Sequence, residues 1–208
     1  MNKKTVHRLV LHDGTEVIFD SEAVEKLYNA LGWIDVKPRI ALYRSAKGLF
    51  ACIFLGQFKP KRTIELYGEL LKFTARNEGV DFKERLIKTL AHELGHFYAF
   101  NYASGSTRRW CKVRVWGKRI YDAMLLSALL GLGSYCLIAR NASPITSCIF
   151  FLAWLIAYLL VVLGASSIIA RHDERNANSF RDALMAQHSQ LLSECVRIRE
   201  SAAENKNG

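Results

Sequence analysis

The chain has 208 residues, a length that suits one domain or one domain with an appendage. Half of its residues are hydrophobic, which excludes an intrinsically disordered chain, and three prolines and thirteen glycines exclude a collagen-like or low-complexity one. The five cysteines are widely spaced and form no C-x-x-C pair, so they outline neither a disulfide framework nor a thiolate zinc site. A formal net charge of +10 is combined with a long uncharged block, which predicts a charged part attached to a membrane part.

The N-terminal part of the chain predicts a mixed α/β segment. An Asp-Gly pair lies between Arg8–Leu11 and Glu16–Phe19, which is typical of a β-hairpin. A short amphipathic helix is predicted over Ser21–Leu31, with its first serine as the cap and Gly32 as its end. Three segments rich in β-forming residues follow, at Arg39–Tyr43, Leu49–Leu55 and Thr63–Tyr67.

The next predicted helix contains a metal-binding motif. Asp81 and Glu84 match a capping box, and apolar residues follow at helical spacing. Residues 92–96 read His-Glu-Leu-Gly-His, an H-E-x-x-H pattern. Because residues i and i+4 share one face of a helix, His92 and His96 can bind one zinc ion while Glu93 accepts a proton from water. The alternative is a pair of surface histidines that bind no metal.

Two uncharged blocks follow this helix and predict a membrane hairpin. The second block, Ile145 to Ala170, is long enough as a helix to cross a hydrocarbon core of about 30 Å. The first, Ala123 to Ala139, is at the short end for a membrane span, so a buried or re-entrant helix is its alternative. Basic residues flank the pair on both outer sides, which predicts a multi-pass membrane protein, in a cell inner membrane, with its catalytic site facing the cytoplasm.

A catalytic zinc site needs a third protein ligand beside the two histidines. The charged cluster directly after the second uncharged block is the obvious source, and it reads Arg171-His172-Asp173-Glu174. The predicted organisation is a cytoplasmic α/β part over residues 1–120, the membrane hairpin over 121–170, and a C-terminal helix with the third ligand over 171–208.

The segment from Ala170 to Asn178 resembles the Ser-Arg-x-x-Glu-x-x-Ala-Asp motif of the integral-membrane zinc peptidases of the HtpX and CAAX prenyl protease family. The order of motif helix, two membrane helices and glutamate is also the order in that family. This resemblance implies an α+β zincin-like catalytic domain with an inserted two-helix transmembrane hairpin. It implies one zinc ion per chain, His92, His96 and Glu174 as ligands, and Glu93 as general base. Asn178 replaces the family's aspartate, which supports a zinc-bound histidine through a hydrogen bond.

The sequence predicts a membrane-anchored zinc endopeptidase that acts on membrane or membrane-proximal proteins. Its expected partners are a protein or peptide substrate and the lipid bilayer. A catalytically inactive, zinc-stabilised membrane adaptor is the alternative, and a basic membrane anchor for nucleic acid is a further one. The His-Glu-Leu-Gly-His string also resembles the ImmA/IrrE-type metallopeptidases, over the motif alone. The candidates for stabilising the oxyanion are three side chains: Tyr98, Tyr102 and Arg175. The candidate strand for pairing with substrate is either Leu49–Leu55 or Thr63–Tyr67.

Overall fold

The computed structural model describes residues 7–45, 56–59, 62–109, 111–112 and 144–200. Contacts group the chain into two compact units, one made of Met1–Ala103 with Asn176–Gly208 and the other of Ser104–Arg175. The helices and strands are, in chain order, β1 (His7–Val10), β2 (Glu16–Phe19), α1 (Ser21–Ala30), β3 (Arg39–Tyr43), β4 (Gly56–Lys59), β5 (Thr63–Tyr67), α2 (Gly68–Glu78), α3 (Phe82–Asn101), α4 (Pro144–Cys195) and β6 (Val196–Arg199).

The six strands of the described residues form two three-stranded sheets. The first has the order β1-β2-β6 and is antiparallel, so the predicted hairpin of β1 and β2 is confirmed. The alternating side chains Val17 and Phe19 of β2 point into the core. The second sheet has the order β3-β5-β4, with β3 parallel and β4 antiparallel to β5. β6 was not predicted, and it comes from near the end of the chain to pair with β2, where Val196 lies opposite Phe19.

Helix α1 confirms the predicted helix but not its cap. The side chain of Asp20, not that of Ser21, accepts hydrogen bonds from the amides of Glu22 and Ala23. The carboxylate is the stronger acceptor for these two amides. Gly32 follows the helix with φ of +69°, a conformation that favours glycine.

Trp33, the next residue along, is the centre of an aromatic cluster. Its ring lies 5.8 Å from Tyr28 of α1, 5.1 Å from Phe97 of α3 and 6.2 Å from Phe180 of α4. Tyr102 stacks on it at 5.4 Å with an interplanar angle of 7°. Trp33 is fully buried, so this cluster fixes α3 and the second half of α4 against a common support.

Helix α3 begins where the capping residues predict. Asp81 is its N-cap, and its carboxylate accepts a hydrogen bond from the amide of Glu84 at 3.0 Å. Buried apolar side chains cover most of the helix: Leu86, Ile87, Leu90, Leu94 and Phe97. The preceding helix α2 was not predicted. It begins directly after β5 and ends at Gly79, which has a φ of +65°.

The expected fold class, a zincin-like domain with an inserted transmembrane hairpin, is wrong. In the ranges that the structure describes, no helix is long and apolar enough to cross a membrane. The block from Ala123 to Ala139 lies outside those ranges. The block from Ile145 to Ala170 is the first part of α4, which continues through charged residues, has a kink with non-helical backbone angles at His188, and ends at Cys195. The expected multi-pass membrane localisation is therefore wrong as well.

The physical reason is that an uncharged run does not by itself define a separate helix. The chain continues as a helix from this run into the charged residues after Ala170. Further along α4 the pattern becomes amphipathic, and it buries Ala177, Leu184 and Leu192 in the described structure. The molecule is a small α+β fold.

Candidate metal centre

Helix α3 places both motif histidines on one face, as their spacing predicts. Nε2 of His92 lies 3.2 Å from Nε2 of His96, and the two rings are perpendicular with centroids 4.8 Å apart. Two nitrogens that bind one tetrahedral zinc at about 2.0–2.1 Å are about 3.3 Å apart. The spacing of the two imidazoles therefore fits a shared metal ion.

Glu174 of α4 completes a group of three possible ligands. One ligand atom from each of His92, His96 and Glu174 lies within 4.8 Å of the other two. His96 is buried, and His92 and Glu174 are half-buried. Two imidazoles and one carboxylate match the ligand set of a catalytic zinc site, in which a fourth position is left for water. The structure thus brings together the three residues that the sequence selected, and they form a possible metal-binding triad.

The close approach of α3 to α4 depends on Gly95. A Cβ atom at this position would lie 2.8 Å from both Cα and the carbonyl oxygen of Ala177. Such a distance leaves no room for a side chain, because the contact is with backbone and not with a movable side-chain end. Gly95 lies between the two histidines in sequence, and Ala177 lies next to Asn178. The missing side chain therefore lets the two helices meet at the site.

Asn178 contacts His92 in the manner expected of the family's aspartate. Its Oδ1 atom lies 3.1 Å from Nδ1 of His92. The same oxygen accepts a hydrogen bond of 3.0 Å from Nη1 of Arg181, a residue that the sequence did not single out. A histidine whose Nδ1–H is donated has a lone pair on Nε2, which is the form that binds a metal. The role of Asn178 in metal binding stays a prediction.

Glu93 is buried, with 6% of its surface exposed. Two further polar residues that the sequence did not select lie on β5, Glu65 and Tyr67. The Tyr67 hydroxyl donates a hydrogen bond of 2.9 Å to Glu65. Burial, this hydrogen bond and nearby carboxylates, among them Glu93, raise the pKa of Tyr67 to about 12. Tyr67 therefore keeps its proton at neutral pH and uses it in the hydrogen bond to Glu65.

A signal for these two residues was present in the sequence. Side chains alternate along a strand, so Glu65 and Tyr67 share the face opposite to Ile64 and Leu66. All four are buried. A carboxylate on a strand that is buried on both faces is uncommon and indicates a polar partner or a functional role.

The expected oxyanion donors differ in their surroundings. Tyr102 donates a 2.6 Å hydrogen bond to the carbonyl of Val36 and accepts one of 3.1 Å from its amide, so its hydroxyl anchors the loop after α1. The ring of Tyr98 stacks on Phe180 at 4.8 Å. Arg175 is exposed. The structure therefore explains Tyr102 as a structural residue.

The structure describes one of the two segments expected to pair with substrate. Thr63–Tyr67 forms β5, which has β3 on one side and β4 on the other, so it is an interior strand and the prediction that it pairs with substrate is wrong. Leu49–Leu55 lies outside the described residues. Among the strands that the structure describes, β4 is at the edge of this sheet, and it contacts α3.

Comparisons of the chain with models of protein families, with characterised proteins and with solved structures found no match. No zincin fold is therefore identified for this chain. The resemblance to zinc peptidases consists of the motifs and of their geometry.

Proposed function

We propose that this protein is a zinc-dependent endopeptidase. The observation that supports the proposal is the convergence of two imidazole nitrogens, 3.2 Å apart, with the carboxylate of Glu174, beside the buried carboxylate of Glu93. A purely structural zinc site has four protein ligands and no need of a neighbouring base. Here three ligands and a base occur together, which is the composition of a hydrolytic site.

The donor set fits zinc. Two neutral imidazoles and one carboxylate carry a single negative charge, and the pair of Nε2 atoms has the spacing of a tetrahedral site. His92, His96 and Glu174 would hold the ion. When bound, zinc supplies a Lewis acid that polarises a carbonyl group and makes water a better nucleophile at neutral pH.

The chemistry of the chain itself depends on Glu93. Its carboxylate is the acceptor for the proton of the attacking water, and it returns that proton to the amine that leaves. Its burial strengthens interactions with a developing charge, because water does not screen them. Tyr67 remains protonated, and its hydroxyl is engaged as the donor to Glu65.

The substrate class proposed is an extended peptide. β4 is an edge strand among the described elements and contacts α3, so a peptide that pairs with it would pass along the helix that carries the motif. Main-chain hydrogen bonds would provide affinity that does not depend on the side chains of the substrate.

The substitution Glu93→Gln tests the catalytic part of the proposal. It removes the base and keeps the size of the side chain, so zinc should be retained while hydrolysis falls about 10²–10⁴-fold. The assay uses a library of quenched fluorescent peptides and the zinc-loaded protein. Glu84→Gln is the matched control, since Glu84 lies at the exposed start of the same helix and should leave cleavage unchanged. Equal cleavage by Glu93→Gln and the unmodified protein would contradict the role of Glu93.

A further inference from the structure

Arg181 makes a contact that decides how the Asn178 side chain is oriented. A carboxamide has an oxygen and a nitrogen of nearly the same shape, so the contact with His92 alone allows two orientations. In one, the carboxamide oxygen of Asn178 accepts a hydrogen bond from Nδ1–H of His92. In the other, its amino group donates to Nδ1, and the imidazole proton must then be on Nε2.

The guanidinium group removes this ambiguity. Arginine has five N–H donors and no acceptor, so its partner on Asn178 must be the oxygen. Nη1 of Arg181 lies 3.0 Å from Oδ1, and the same Oδ1 lies 3.1 Å from Nδ1 of His92. The flipped carboxamide, with oxygen and nitrogen exchanged, would place its amino group against a donor of Arg181, so the oxygen is the atom that faces both Arg181 and His92. His92 must then carry its proton on Nδ1.

Arg181 is itself held in place. Its Nε and Nη2 atoms both lie 2.8 Å from Oδ1 of Asp182. Because these atoms are engaged, Nη1 is directed toward Asn178, three residues earlier on α4. The side chain of Arg181 is 32% exposed, so the contact is partly shielded from water.

We propose that Arg181 is a positioning residue that sets the tautomer of His92 through the carboxamide of Asn178, and so presents the Nε2 lone pair to a metal ion. This inference rests on the proposed zinc site, yet the tautomer is a property of the metal-free protein as well. In a site with aspartate at this position, both carboxylate oxygens accept hydrogen bonds, so no arginine is needed to orient the side chain. The arginine compensates for the asparagine.

The test measures the tautomer and the zinc affinity separately. Two-dimensional ¹H–¹⁵N spectra of the imidazole groups are recorded on metal-free protein at about pH 8.5, well above the usual histidine pKa. The unmodified protein should show His92 protonated on Nδ1. Arg181→Met keeps the apolar stem but has no donor, so it should add the Nε2-protonated form and weaken zinc binding about tenfold. Arg181→Lys keeps a donor, so its His92 tautomer and its zinc affinity should stay close to those of the unmodified protein.

A double variant separates orientation from a general structural effect. In Asn178→Asp the acceptor is symmetric, so adding Arg181→Met should leave His92 protonated on Nδ1. Arg171→Met is the control, because it makes the same substitution at an exposed arginine of α4 that lies outside the proposed site, and it should leave the tautomer unchanged. The proposal is overturned if Arg181→Met keeps the original tautomer, or if Arg181→Met shifts it equally in the Asn178→Asp background. Failure of the unmodified protein to bind zinc would count against the proposed function and not against the tautomer result.

Discussion

Replacement of Gly95 by alanine perturbs the contact that brings the two ligand-bearing helices together. The added Cβ would lie 2.8 Å from the backbone of Ala177, well inside the 3.4 Å at which ordinary contact begins. Ala177 belongs to α4, so its backbone must move to make up this difference or α3 must move instead. Ligand distances in metal sites tolerate only about ±0.2 Å. A shift of the size required should therefore disturb the site between α3 and α4.

Two energies act in opposite directions in this variant. Alanine is preferred to glycine inside a helix by about 1 kcal/mol, whereas overpacking of a close contact costs about 1–3 kcal/mol. We expect the metal-free protein to lose about 0–2 kcal/mol of unfolding free energy, which is the difference between these two effects. Tenfold weaker zinc binding would remove about 1.4 kcal/mol more from the stabilisation that zinc provides.

The assay is denaturant unfolding with and without zinc, together with competition against a chelator. Gly68→Ala is the matched control, since the close contacts of a Cβ there are with the side-chain ends of Leu11 and Leu9, and the backbone oxygen of Tyr43 is at an ordinary 3.7 Å. It should leave zinc affinity unchanged. A Gly95→Ala protein that is about 1 kcal/mol more stable, as helix propensity alone would make it, and that binds zinc normally would show that the two helices do not meet as closely as described.

Three further results are expected. Asn178→Asp should raise zinc affinity about tenfold in chelator competition, because a carboxylate makes the His92 imidazole more basic; unchanged affinity would separate Asn178 from the metal site. Tyr102→Phe should lower the free energy of unfolding by about 1 kcal/mol without changing zinc affinity, since it removes two hydrogen bonds to Val36. Burial raises the pKa of the Cys195 thiol to about 12, above its value of about 8.5 in an unfolded chain. The contribution of this thiol to stability is therefore complete below about pH 8.5 and is lost as the pH rises toward 12. Cys195→Ala should therefore lose less stability between these pH values than the unmodified protein, and identical curves would refute the shift.

Local signals in the sequence were sufficient for the elements that depend on them. The hairpin of β1 and β2, the strand β3 and the start of α3 at Asp81 were all predicted with boundaries within one residue or so. The spacing of His92 and His96 was equally local, because one helical turn determines it. Glu174 was found from its place after an apolar block and from the family resemblance, and the structure brings it to the histidines.

Features that depend on tertiary contacts were missed. β6 is a strand because it pairs with β2, which is distant in sequence. No turn residues next to its four residues mark it as a strand in the sequence. In the sequence, Gly95 is simply a residue that weakens a helix. The close approach of the Ala177 backbone explains why glycine is needed there. The membrane hairpin is the largest error, because it rests on the lengths of two uncharged runs, and no helix of the described residues is long and apolar enough to cross a membrane. Arg181 is one of many basic residues in the sequence, and only its contact with Asn178 in the folded chain distinguishes it.

The zinc content of the purified, zinc-loaded protein tests the proposed metal centre most directly. The unmodified protein should bind about one zinc ion per chain, and His92→Ala, His96→Ala and Glu174→Ala should each reduce the content greatly after dialysis against a weak chelator. Asp173→Asn is the matched control, because it changes the neighbouring carboxylate, and it should keep the zinc. Full zinc content in Glu174→Ala, together with loss of zinc in Asp173→Asn, would contradict the triad, and an unmodified protein without zinc affinity would contradict the site as a whole.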